Sequence, residues 1–188
     1  MVKKVNAVCG LAVSASVLIH IGYVIYAYLT FYYNPLLTRI IADTTLLFAC
    51  LHIIFSAVIV FFLHDRGNGM LYPRLNMRTL IQRVSAVLMI LMLVLHINTF
   101  KLLASSSESN RVLFAAVMIS QVLFFASALL HVALSAGNAL ITLGAISTVR
   151  SRKTVDVIVW IICAVLFTTV SFTVLRTELI MFGGGGVT

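Results

Sequence analysis

Between Arg111 and Arg150 no residue carries a formal charge. A helix rises about 1.5 Å per residue, so about 20 residues cross the hydrocarbon of a bilayer. Residues 112–136 therefore read as a membrane-spanning helix. Four more runs meet the same test: 5–29, 44–63, 80–103 and 155–175. The chain is 62% hydrophobic and only 10% charged, where a soluble globule carries about 25% charged residues. A soluble enzyme is excluded. So is the nucleic-acid binder that a net charge of +8 would otherwise suggest. The fold class is an all-α membrane protein: residues 1–188 form one bundle of five transmembrane helices, with no internal repeat.

The connections are short. Phe31–Asp43 holds the turn signal Asn34-Pro35, and His64–Thr79 holds Gly67, Gly69 and Pro73. Ala104–Asn110 is serine-rich, and Gly183–Gly186 reads as a frayed tail. Residues 135–153 are too apolar for a solvated loop and too short to cross again, so the fourth helix is expected to overshoot the membrane or bend along it. Met1–Lys4 resembles the start of a signal peptide. The apolar stretch behind it runs on to Leu29 without a cleavage site, so a retained first helix is expected. Lys3, Lys4, Arg66, Arg74, Arg78, Arg83, Arg150, Arg152 and Lys153 collect at one end of the bundle, against Arg39, Lys101, Arg111 and Arg176 at the other. The positive-inside rule then puts the N-terminus in the cytoplasm and the C-terminus outside, in a cell's inner (cytoplasmic) membrane, with basic loops against anionic lipid. Cys9, Cys50 and Cys163 lie in apolar runs without metal spacing and read as small buried hydrophobes. Trp160 reads as an interfacial anchor.

Four of the five runs each carry one histidine within the membrane: His20, His52, His96 and His131. Counting helical rise along alternating directions places His20 and His96 toward the outer leaflet, with His52 and His131 deeper and toward the cytoplasm. The natural pairs are His20 with His96 and His52 with His131. An iron porphyrin of the b type takes one imidazole above and one below its ring, and facing helices of a bundle supply such ligands. Two haem b groups are expected, with these four histidines on the irons. Arg83 is placed to neutralise propionates. The plain alternative is that each histidine only hydrogen-bonds a neighbouring helix. Gln121 and Asn98 are read that way, and His64 as a solvated residue at a helix end.

At these residues the chain resembles the diheme membrane-anchor subunit of succinate:quinone oxidoreductases and quinol:fumarate reductases, the five-helix single-polypeptide type. Gln82-Arg83-Val84-Ser85, leading to Leu95-His96, is similar to that family's Arg-x-Ser/Thr-Gly run followed by apolar residues and a histidine. Leu130-His131, with the small residues after it, Gly144 and the basic Arg150, is similar to its fourth-helix pattern. Ala86 and Ser135 stand where the family often has glycine. The resemblance implies the same pairing of ligands, first helix with third and second with fourth. It adds Arg83 and Ser85 as haem-binding residues. It also implies a flavoprotein subunit and an iron–sulfur subunit docked on the cytoplasmic face, and a membrane quinone as electron partner. The dicarboxylate chemistry would then belong to those partners and the quinone site to this chain. A diheme subunit of another respiratory oxidoreductase is one rival, and a cofactor-free transporter or structural subunit is another.

Asp43, taken to open the second helix beside Tyr32, Tyr33 and Asn34, reads either as a plain carboxylate at a helix N-terminus or as the candidate for proton exchange with quinone. Asp43, Asp65, Glu108, Asp156 and Glu178 all fall at the ends of runs or in loops. Leu129, two residues before the fourth histidine, stands where some members of the resembled family carry a glutamate. No acidic residue is thus expected to carry protons through the middle of the bundle.

Overall fold

The computed structural model describes residues 1–62, 73–106 and 110–182, with the side chains of 73–76 excepted. The readings of His64, of Gly67 and Gly69, and of Gly183–Gly186 lie outside those residues. Six helices run in order: α1 Val2–Thr30, α2 Pro35–Phe62, α3 Pro73–Ile97, α4 Thr99–Ser106, α5 Arg111–Leu143 and α6 Val149–Phe182. Five of them are long and apolar enough to cross a membrane, α4 being the exception. The chain is a multi-pass membrane protein by that measure.

Each of the five long helices starts before its apolar run, and the reason is visible at the ends. Asn34-Pro35 is a helix start rather than a mid-loop turn. The Asn34 Oδ1 accepts from the Leu37 N–H at 3.1 Å, and Pro35 fills the first helical position, where no N–H is needed. The Tyr23 hydroxyl accepts from the Asn34 N–H at 3.1 Å and clamps this turn onto α1. Asp43 consequently lies inside α2, not at its start. Asn110 caps α5 through Leu113 N at 2.9 Å. Gly144 ends α5 with φ 82°, a left-handed conformation that favours glycine. The fourth helix continues past its apolar run, to Leu143. α6 starts at Val149, where Thr148 Oγ1 accepts from Ser151 N at 3.1 Å. The third run breaks at Asn98, whose amide folds back onto the Val94 carbonyl at 2.8 Å, while Thr99 bonds the Leu95 carbonyl. Such back-bonding competes with the helical ladder. Asn98 therefore serves its own helix, and not a neighbour as expected from the sequence.

α5 is the central element. It packs on α1, α3, α4 and α6. Its Phe125, Leu129 and Ala133 meet Ile21 of α1 and Cys163, Val170 and Val174 of α6 in the apolar core. α2 is the opposite case. It packs against α1 and has no buried residue. α1 and α5 pack directly on each other, and a cleft opens between them, α2 and α3.

Near the start of α3, Arg78 grips Asp156 of α6 with two parallel hydrogen bonds, 2.8 and 2.9 Å, and its Nε donates to the Leu134 carbonyl of α5 at 3.1 Å. Asp156 is therefore an interhelical partner two turns into α6, not a carboxylate in its first turn. Gly137 makes the grip possible: a Cβ there would lie 2.6 Å from Asp156 Oδ1.

Candidate functional site

The four membrane histidines come together as two pairs. His20 and His96 have ring centroids 6.3 Å apart with planes at 75°. His52 and His131 are also 6.3 Å apart, at 68°. A direct hydrogen bond between two imidazoles needs centroids about 5 Å apart, so neither pair is held by one. A metal ion lies about 2 Å from an imidazole nitrogen. Two rings on opposite sides of one ion therefore put their centroids about 6–6.5 Å apart. Both pairs have that separation.

The second ring nitrogens divide by helix. His96 Nδ1 lies 2.8 Å from Gln121 Oε1 of α5, the interhelical role expected of Gln121. His131 Nδ1 lies 3.0 Å from the Gln82 carbonyl of α3 and 3.4 Å from Ser85 Oγ. With an oxygen acceptor at Nδ1, the proton sits there and Nε2 keeps a lone pair, the usual arrangement of a metal-binding histidine. His20 and His52 differ. Their Nδ1 atoms are buried without a hydrogen-bond partner. For His20 no hydrogen bond then accounts for the buried ring, whereas the His52 ring lies against the Asn6 backbone of α1.

Small residues make the room. A cavity of about 250 Å³ lies between α1, α2, α3 and α5, reaching His52 and His131 and lined by Gly10, Ser14, Ala49, Ala128 and Ser135 among others. Gly10 is the tightest of these. A Cβ on it would stand 3.1 Å from His52 Cε1, so only glycine lets that ring lie against the α1 backbone. At the other pair, Phe124 stacks on the His96 ring at 4.5 Å and 18°. The pairs are separated along the bundle by the same amount on two helices. Gly10, beside His52, precedes His20 by ten residues, and Gln121, bonded to His96, precedes His131 by ten. Ten residues are about 15 Å of helix. Both pairs have the donors and ring separation that a bis-histidine haem needs, and the cavity lies at the His52–His131 pair.

The other residues singled out in the sequence are placed as follows. Ser85 is buried beside His131. Arg83 is exposed and does not line the cavity. Asp43 is exposed on the third turn of α2 and pairs with Arg39 one turn back, at 3.5 Å. Tyr32 and Tyr33 are exposed beside that end of the hairpin. Cys163 is buried, but Cys50 is exposed. Trp160 is 44% exposed, but well inside α6 because that helix starts earlier than its apolar run. Glu178 is the largest departure. It lies within α6, only 2% exposed, and its Oε2 has no partner. The signal for it was present: the apolar run resumes past Arg176, at Leu179–Phe182.

No family model, curated protein or solved structure matches this chain.

Proposed function

We propose that this chain is a diheme membrane cytochrome b. His20 and His96 would hold one haem b and His52 and His131 the other, and electrons would pass between a partner on one side and a membrane quinone. The observation that carries the reading is the repeated 6.3 Å separation of two histidine pairs that make no hydrogen bond to each other. When bound, a haem held by two histidines would supply one-electron transfer.

The chain's own residues do the rest. Gln121 and the Gln82 carbonyl orient His96 and His131. Gly10 and its small neighbours leave space for the ring. The spacing of about 15 Å between the pairs sets a two-step path along the bundle. Within this class, the similarity around Arg83–Ser85, His96 and His131 favours the anchor subunit of a succinate:quinone oxidoreductase or quinol:fumarate reductase. The docking face for the flavoprotein and iron–sulfur subunits would be the basic, cytoplasmic one, in the inner membrane.

A reduced-minus-oxidised spectrum of the purified protein, with haem counted per chain, tests the proposal. Two b-type haems are expected. A protein without a b-type band would be a cofactor-free membrane subunit. Co-purification of a flavin- and iron–sulfur-containing partner, with succinate-driven reduction of the haems, tests the narrower assignment.

A further inference from the structure

The cavity beside His52 and His131 has a polar mouth at the end of the bundle where α1 begins and α5 stops. Lys3 and Asn6 of α1 and Asn138 of α5 line it, and among the described residues no carboxylate does. Hydrogen bonds behind the wall decide which way the two amides face. Asn138 Oδ1 accepts from Arg152 Nη2 at 3.2 Å, and Asn6 Oδ1 accepts from Ser56 Oγ at 3.1 Å. Both amides have therefore committed their oxygens and keep their N–H hydrogens to give. Lys3 has a contact of its own, but an ammonium has three hydrogens. Ser14, Ser135 and Thr142, also on the wall, give their hydroxyl hydrogens to the carbonyls of Gly10, His131 and Asn138. The mouth thus offers hydrogen-bond donors, two amides and an ammonium, and such a set suits an anionic oxygen ligand.

Resting on the two-haem reading, we infer that Lys3, Asn6 and Asn138 form a carboxylate-binding collar for the propionates of the group held by His52 and His131. The acidic edge of that group then faces the end of the bundle where α1 begins. The reach is right for a propionate arm. Asn6 is one helical turn from Gly10, which abuts His52. Asn138 is two turns from His131. Arg83, outside the cavity, takes no part. Arg152 acts one step back, by fixing the amide of Asn138.

The test uses the full-length protein purified with its haem. Haem content per chain, the rate of haem transfer to a scavenger, and redox-difference infrared spectra with haem ¹³C-labelled at the propionate carboxyls are compared for the wild type, Lys3→Met, Asn138→Leu, their double variant and Arg83→Met. In Lys3→Met and Asn138→Leu the ¹³C-sensitive carboxylate bands of one haem should move and that haem should leave at least tenfold faster. The His20/His96 haem should stay and report an intact fold. Arg83→Met should behave as wild type. Unmoved propionate bands in both collar variants would overturn the collar while the two-haem reading stands, and would point to lipid phosphate as the anion at the mouth. A wild-type protein that holds no haem would overturn both.

Discussion

A single ring nitrogen or a single missing Cβ decides most of the chemistry here. If the pairs act as pairs, His52→Ala and His131→Ala should each remove the same haem, and His20→Ala and His96→Ala the other. Redox titration of the four proteins would show this. Loss of one species by both His20→Ala and His52→Ala would break the pairing. Gly10 makes a sharper case, because its substitution leaves every ligand in place. A methyl group there stands 3.1 Å from His52 Cε1. Gly10→Ala should therefore shift the spectrum and potential of the His52/His131 haem, and Gly10→Leu should reduce the haem content to one per chain. Equal haem in Gly10→Leu and wild type would show that the ring does not need that space. The pairing of histidines was legible in advance, because helical rise converts sequence position into depth. Gly10 was not. A glycine in an apolar run looks like any other small residue until the ring from the next helix is known to lie against it. The orphaned Nδ1 atoms were hidden for the same reason: hydrogen-bond partners are a property of packing.

At the scale of elements, the apolar runs located the helices and missed their ends. Membrane helices continue past the hydrocarbon until a cap stops them, and the caps are polar residues that a hydropathy window discards. Asn34, Asn110, Gly144 and Thr148 mark the true limits. Two charged residues changed meaning as a result. Asp43 became a mid-helix residue paired with Arg39, and Asp156 became the partner of Arg78. The clamp of Arg78 on Asp156 ties α3, α5 and α6 at one end of the bundle. Its side chains are about one quarter exposed (29% and 21%), between a surface pair and a buried one. Asp156→Asn should cost roughly 1–3 kcal/mol of stability. Gly137→Ala should cost a similar amount, because its methyl group would push Asp156 away. Since both changes break one contact, their effects should not add. Thermal or denaturant unfolding in detergent of the two single variants and the double variant would measure the coupling. Full additivity would mean that Gly137 is not there for the clamp.

Across the whole molecule the two histidine pairs set a direction, along the bundle and through the membrane. If the pairs hold haem as proposed, an electron moving between them would cross part of the membrane potential, worth about 2.3 kcal/mol per charge per 100 mV for a full crossing. Proton movement in the same direction would cancel it. The two carboxylates buried or half-buried in the long helices are Asp156, committed to Arg78 at one end, and Glu178, four residues before the end of α6 at the other. Among the described residues no carboxylate stands between them on α6, nor does one on α1, α3 or α5. With quinone chemistry at the outer face, turnover in sealed vesicles should therefore generate a membrane potential and slow against an opposing one. Turnover indifferent to the potential would require a proton path or a quinone site at the other face. The bareness of α2 bears on how such a protein is made. A helix that buries none of its residues has little to hold it except α1 and whatever fills the cleft. It is the natural last piece of the bundle to seat, and the side through which a flat, greasy molecule can slide in from the lipid. If the chain binds haem as proposed, cofactor supply would act as a checkpoint in biogenesis. In haem-starved cells α2 should stand away from its neighbours, the chain should be cleared by membrane proteases within a pulse-chase, and its abundance in the membrane should follow haem availability rather than its own rate of synthesis.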